Sequence, residues 1–190
     1  RAPLPARGLR SGSQRHPPRC GHRRAHPENP DRVRAVWNAL DAPRFNDLER
    51  REAPSATIDQ ISRIHKRDYV ESILNSVPSE GLYRIDPDTA MSPSSGEAAL
   101  TAAGAVIAAI DSVMSGEASN AFCAIRPPGH HAEPSRGMGF CLFNSVAIGA
   151  AHAKEVFGMD RVVCALAGSL QHRHSAIRYD ECMERERGIP

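Results

Sequence analysis

The order of segments between residues 121 and 166 constrains this chain's fold more than any other feature. Residues 121–125 are a short apolar run of strand length, which stops at the rigid loop Arg126-Pro127-Pro128-Gly129. Asn144 can then cap a helix over Val146, Ala147, Ala150 and Ala151 that ends near Gly158, and residues 162–166 form another short apolar run. Strand, loop, helix and strand in that order predict a βαβ unit. Residues 122–125 and 162–166 are expected to be neighbouring parallel strands, with the helix as their crossover. The fold class expected is α/β, a parallel sheet with flanking helices. Such sheets place their sites at the carboxyl ends of strands, where the loop after Ile125 would lie.

Composition agrees with a globular domain. A chain of 190 residues can bury roughly 70% of its unfolded surface. Its 41% hydrophobic and 24% charged content excludes a mainly disordered or collagen-like chain. No run of 18 apolar residues is present, so no membrane span is read. Five cysteines with no C-x-x-C pair argue against a disulfide framework or a cysteine-based zinc site. A reducing, intracellular and cytoplasmic setting fits them better.

The net charge of +2 hides an asymmetry. Residues 1–27 carry seven of the 24 basic residues and no acid, so the remaining 17 bases face all 22 acids. Residues 1–25 have no apolar period and many breakers, and 1–21 are expected to be a disordered basic head. Targeting and acidic-partner readings of that head stay open. No aromatic or Gly-rich recognition motif accompanies its arginines, which argues against nucleic-acid binding.

Helices are signalled by their ends. Asn29 can cap a helix with Pro30 at its first position, followed by the stripe Val33, Val36, Trp37 and Leu40. Thr57 and Gln60 have capping-box spacing, and Ile58, Ile61 and Ile64 could continue as helix or short strand. Tyr69, Val70, Ile73, Leu74 and Val77 read as another helix, and residues 78–93 as a loop with turn chemistry. The strongest helix runs from about Gly96 to Ser115, with Ser94 and Glu97 as an expected capping box and Gly116 as its C′ residue.

The loop from Arg126 to Glu133 carries the chemistry. Adjacent His130 and His131 follow a strand on a stiff Pro-Pro-Gly turn. Histidine can give and take protons near neutral pH. By itself the pair could equally be a hydrogen-bonded loop pair. Gly137-Met138-Gly139-Phe140-Cys141-Leu142-Phe143-Asn144 follows within ten residues.

Together these segments closely resemble the histone deacetylase superfamily, on the side of its class II and bacterial deacetylase-like members. Further matches are His26-Pro27-Glu28-Asn29-Pro30-Asp31-Arg32, Ile64-His65 with Tyr69-Val70, and Ile85-Asp86-Pro87-Asp88-Thr89 leading into residues 92–99. The resemblance covers about residues 22–163. It implies an arginase/deacetylase-type fold and zinc-assisted hydrolysis of an acetyl-amide, in acetyl-lysine or an acetylated polyamine. It implies His131 as the main general base and acid, with His130 supporting the zinc-bound water. Phe140 would wall a narrow substrate channel, and Gly139 would offer its carbonyl to the substrate amide. Asp86 or Asp88 would match the rim aspartate that grips the substrate backbone. Taken singly, Phe140 could be core packing and the two aspartates a solvated turn. Cys141 is not read as a nucleophile, since no base is fixed beside it.

The resemblance ends after residue 163. The family's next strand carries D-x-D-x-H-H-G, whose first Asp is structural and whose second Asp and first His bind zinc. Those three positions fall here on Leu166, Gly168 and Leu170. None has a side-chain donor. Residues 164–190 are thus expected to be a divergent tail, from a frameshift, splice variant or truncation. His172 and His174 with Asp180 and Glu181 make a weak substitute cluster, and Tyr179 does not match the family's tyrosine position. The chain is expected to carry half of a deacetylase domain without its metal ligands and to be inactive alone; the alternative is a non-catalytic or partner-binding product. A sheet cut at this point would expose an apolar edge.

Overall fold

The structure, a computed structural model, describes residues 7–11, 27–166 and 175–178. Its main sheet is parallel, with strand order β2-β1-β5: β1 is Arg7–Ser11, β2 Glu49–Ala53 and β5 Ala121–Ala124. Leu9 lies opposite Arg51 on one side and Cys123 on the other. A short antiparallel pair, β3 (Tyr83–Arg84) and β4 (Ala90–Met91), flanks the turn at Asp86-Pro87-Asp88.

Two expectations about the strands are corrected by the structure. Residues 7–11, read as part of an unstructured head, form the central strand; the rest of that head lies outside the described residues. Leu9 is the strand's one apolar side chain, so no period of two was visible, and its position comes from backbone pairing on both edges. Residues 163–166 do form a strand, β6 (Val163–Leu166), but it is not a parallel neighbour of β5. It pairs antiparallel with β7 (Ser175–Arg178), while β5 pairs with β1. A partner close in sequence costs less loop-closure entropy than a long crossover, and apolar runs do not specify which partner is taken.

The helices follow their end signals more closely. α1 (Pro30–Leu40) is capped by Asn29, whose Oδ1 accepts the Asp31 N–H at 2.9 Å. It buries Val33 and turns Trp37 inward, where the indole N–H donates to the Ala124 carbonyl at 3.4 Å; Val36 of the expected stripe is exposed. α2 (Ile58–Ile61) has the full Thr57–Gln60 capping box. α3 (Arg67–Asn75) buries Val70 and Ile73. α4 (Ser95–Met114) ends on Gly116 at φ 77°. Its expected capping box is absent: the Ser94 side chain caps nothing, and the Ser95 hydroxyl instead accepts the Ser92 N–H at 2.8 Å. α5 (Ser145–Phe157) starts on Asn144, whose Oδ1 accepts the Ala147 N–H, and stops at left-handed Gly158.

By length and hydropathy α4 could cross a membrane, yet it is the core helix of this fold, packed on α5 and on the sheet. Small residues allow that closeness. A Cβ on Gly104 would lie 2.0 Å from the Pro54 carbonyl oxygen, and one on Gly149 of α5 would lie 2.6 Å from Val106. The core runs from Ile61, Val70 and Ile73 through Met91, Ala103 and Ile107 to Phe143 and Ile148. His152 braces it: buried on α5, it meets Arg63 at 2.7 Å through Nδ1 and Asp111 at 2.6 Å through Nε2. Because the guanidinium can only donate, Nδ1 accepts and Nε2–H donates to Asp111.

Candidate active site

The site is built on the loop between β5 and α5. Arg126 leaves the strand and pairs with Glu28 at 2.6 Å, their side chains only 14% and 11% exposed, which ties the loop to the start of α1. Gly129 then passes so close to α5 that a Cβ would lie 2.7 Å from the Ser145 Cβ and 2.8 Å from its backbone nitrogen. Its carbonyl accepts the Val146 N–H at 3.0 Å. The loop is therefore fixed immediately before the two histidines.

His130 and His131 are both exposed, with ring centroids 4.1 Å apart and planes tilted by 48°. The His130 N–H meets the Cys141 sulfur at 3.5 Å. Partial burial, and then the neighbouring His131, push the His130 pKa below the usual histidine value. That favours a neutral imidazole, able to accept a proton.

Gly139 and Phe140 are both left-handed, at φ 59° and 66°. Gly139 lies against the His131 side chain, and a Cβ there would sit 2.7 Å from its Cβ, Cγ and Cδ2, so only glycine lets this wall approach the imidazole. Phe140, a non-glycine residue in that region, is held by neighbours. Its N–H donates to the Thr89 hydroxyl at 3.0 Å, and the Gly139 N–H donates to Asp88 Oδ1 at 3.1 Å. The two aspartates separate. Asp88 is exposed at the edge of this wall, and its carboxyl is held below the ordinary value chiefly by the Thr89 hydroxyl. Asp86 is turned away to Arg136, with 2.9 Å between Oδ2 and Nη2.

Behind the wall the chain is fully packed. Cys141, Leu142 and Phe143 are buried, and the Tyr69 hydroxyl donates to the Leu142 carbonyl at 2.7 Å. Burial raises the Cys141 thiol, which leaves it unreactive. His65 Nε2 accepts the Asn144 N–H at 2.9 Å, and Asn144 Nδ2 donates to the Ala132 carbonyl at 3.1 Å. Burial pushes the His65 pKa down to about 4, against a smaller opposing effect of the Glu133 and Pro134 backbone. His65 and Thr89 are supports that the sequence showed only as motif letters. A threonine after an Asp-Pro-Asp turn signals nothing beyond a turn.

The structure thus brings together His130, His131, Gly139, Phe140 and Asp88, and leaves Asp86 in an ion pair beside them. Among the described residues no group of three or more His, Cys, Asp or Glu side chains could hold a metal. Leu166 closes β6, while Gly168, Leu170 and the His172–His174 cluster lie outside the described residues. Leucine and glycine side chains offer no donor atom, so the residues at these family positions do not fit zinc.

Comparison with known proteins identifies the family. The model of the histone deacetylase domain matches residues 26–165. A histone deacetylase-like amidohydrolase from Pseudomonas aeruginosa is 37% identical over 138 residues, covering 72% of this chain and 36% of that protein. The human polyamine deacetylase HDAC10 is 34% identical over 145 residues, covering 72% of this chain and 21% of that one. The crystal structure of the HDA15 HD domain superposes with a TM-score of 0.70 at 26% identity, over 80% of this chain and 44% of that chain. The chain spans less than half the length of these relatives. It covers part of the deacetylase fold, and it belongs to the histone deacetylase family.

Proposed function

We propose that this chain supplies the proton-transfer and substrate-channel half of a deacetylase site that takes acetyl-lysine or acetylated polyamine amides, and that alone it does not turn them over. The observation that carries this reading is the seating of Gly139, the first residue of the Gly139–Phe140 wall, directly on the exposed His131 side chain. A methylene chain lying along Phe140 would bring its acyl-amide to His131. The Gly139 carbonyl would accept the amide N–H there. Asp88 is the rim aspartate, with its exposed carboxylate beside the wall, whereas Asp86 is engaged by Arg136. His131 would accept a proton from the attacking water and return it to the leaving amine, with His130 beside it in the neutral form.

Amide hydrolysis in this family is zinc-dependent, and the side chains at positions 166, 168 and 170 do not fit zinc. Acid–base help alone is typically worth ~10²–10⁴-fold, well below a full hydrolase. An intracellular, reducing setting goes with this reading, in which Cys123 and Cys141 remain thiols. The test combines elemental analysis for zinc, an assay on an acetyl-lysine peptide and an acetylated polyamine, and an NMR titration with N-acetyl-lysine methylamide. The expected result is little bound zinc, no turnover above the blank, and shifts centred on His131, Gly139 and Phe140. One zinc per chain with turnover abolished by His131→Ala would overturn the inactivity. Absence of any shift at the wall would overturn the substrate assignment.

A further inference from the structure

We infer that Thr89 is a positioning residue for the substrate wall: its hydroxyl joins the rim aspartate and the left-handed Gly139–Phe140 pair into one rigid unit. This inference rests on the reading of the wall given above. Thr89 is 1% exposed, yet it carries a polar group, and each capacity of that group is used across the site. The hydroxyl donates to Asp88 Oδ1 at 2.7 Å and accepts the Phe140 N–H at 3.0 Å. The same Asp88 oxygen accepts the Gly139 N–H at 3.1 Å. Four groups from two distant segments thus close a ring of hydrogen bonds: the Asp88 carboxylate, the Thr89 hydroxyl and two consecutive backbone amides.

The threonine is itself fixed. Its backbone N–H donates to the Asp86 carbonyl at 3.3 Å, and its carbonyl accepts the Ile85 N–H at 3.0 Å and the Asp86 N–H at 3.3 Å. The Asp86-Pro87-Asp88 turn therefore presents the hydroxyl from a braced position.

The ring is needed because Phe140 is in a region that a residue with a Cβ rarely adopts. In the alternative extended region the Phe140 ring would leave the channel and Gly139 would leave His131. Hydrogen bonds to consecutive amides select the left-handed pair, and an anionic acceptor makes one of them charge-assisted. A valine at position 89 has nearly the same shape and lacks the hydroxyl, so it removes the link without emptying the space. A serine keeps it.

The experiment compares the full chain with Thr89→Val and Thr89→Ser. The first readout is amide hydrogen exchange at Gly139 and Phe140, with the buried helix α4 as internal reference. In Thr89→Val, exchange at these two amides is expected to accelerate at least tenfold while α4 amides keep their rates, and Thr89→Ser is expected to stay within about threefold of the parent. The second readout is the titration with N-acetyl-lysine methylamide, in which Thr89→Val is expected to weaken binding about tenfold and Thr89→Ser to restore it. Unchanged exchange at Gly139 and Phe140 in Thr89→Val overturns the clamp, as does acceleration shared equally by α4. Accelerated exchange with unaltered probe binding keeps the clamp and overturns its positioning role. A parent chain that shows no probe shifts overturns the reading of the wall itself, an outcome separate from the exchange result.

Discussion

The loop entering α5 and the strand leaving it are built on opposite terms. Before the helix, nearly every polar group from Arg126 to Asn144 that is buried has a partner, and Cys141, Leu142 and Phe143 are within the core. After the helix, β6 pairs with β7 alone among the described residues, and Val163 is 76% exposed. An apolar cleft of about 610 Å³ separates β6 from β5, floored by α4 and α5. The loop that carries His130 and His131 is thus firmly held, by residues within its own segment and by α1, His65 and the Asp86–Thr89 turn. On the other flank, among the described residues, β6 has no strand partner besides β7 and no group of three or more His, Cys, Asp or Glu could hold a metal. One half can therefore be perturbed with large and local effects, while the other should tolerate change.

The largest effect is expected at the anchor of the loop. Glu28→Ala leaves the Arg126 guanidinium without its carboxylate in a site where both side chains are about seven-eighths buried. Breaking such a pair from one side typically costs 3–5 kcal/mol, so denaturant titration should show a loss of about 3 kcal/mol. A loss below about 1 kcal/mol would mean that the loop is not held through this pair.

Acidification should be nearly as damaging. His65 is held neutral, with Nε2 accepting the Asn144 N–H, and its folded pKa of about 4 lies below the ordinary 6.5. The unfolded chain therefore takes up the proton first. The contribution is complete above about pH 6.5, is lost as pH falls from 6.5 towards 4, and changes no further below that. At 1.36 kcal/mol per pH unit this amounts to roughly 3 kcal/mol. Stability measured at pH 7.5, 5.5 and 4.5 should trace that fall, and it should flatten in His65→Gln, whose amide oxygen can accept the same N–H without titrating. A variant that keeps the full slope would assign it to other groups.

What the sequence disclosed divides along local and non-local lines. Asn29, Thr57 with Gln60, Asn144 and Gly158 act on backbone groups within a few residues, so their roles were legible from spacing. Ser94 had the same spacing to Glu97, but the Ser92–Ser95 contact replaced its cap, a choice made by the preceding turn. β1 and β2 were invisible because a charged parallel strand has no apolar signature, and their pairing spans dozens of residues. The two histidines and the wall were named from the motif. The division of labour between Asp86 and Asp88 was not, since both occupy one turn and only Arg136 and Gly139, brought from fifty residues away, tell them apart.

A mid-sized effect tests the closeness of loop and helix. Gly129→Ala would press a Cβ to within 2.5 Å of the Ser145 hydroxyl and 2.8 Å of its backbone nitrogen, and α5 begins at that residue. Overpacking of this kind costs typically 1–3 kcal/mol, so a drop of about 2 kcal/mol is expected. Val146 and Ala147 amides should exchange faster with it. A neutral substitution would show that the helix start can yield.

The smallest effect belongs to the flank, and it sharpens the contrast most. Burial stabilises in proportion to the apolar area removed from water, about 25 cal/mol per Å², and Val163 at 76% exposure has little of its area to lose. Val163→Thr should therefore change stability by less than about 0.5 kcal/mol, as exposed substitutions usually do. Ile148→Val, a smaller chemical change at a residue 0% exposed, should cost about 1 kcal/mol. Association should order them the other way. Val163 lines the apolar cleft, and Phe122, 54% exposed, lies on β5 at a strand edge open among the described residues. Such surface promotes edge-to-edge pairing. Light scattering of Val163→Thr combined with Phe122→Ser should show less aggregation than the parent at equal concentration, whereas Ile148→Val should show as much or more. If the double substitution instead destabilises the fold by 2 kcal/mol or more, the flank is packed in solution and the two halves are not built on different terms.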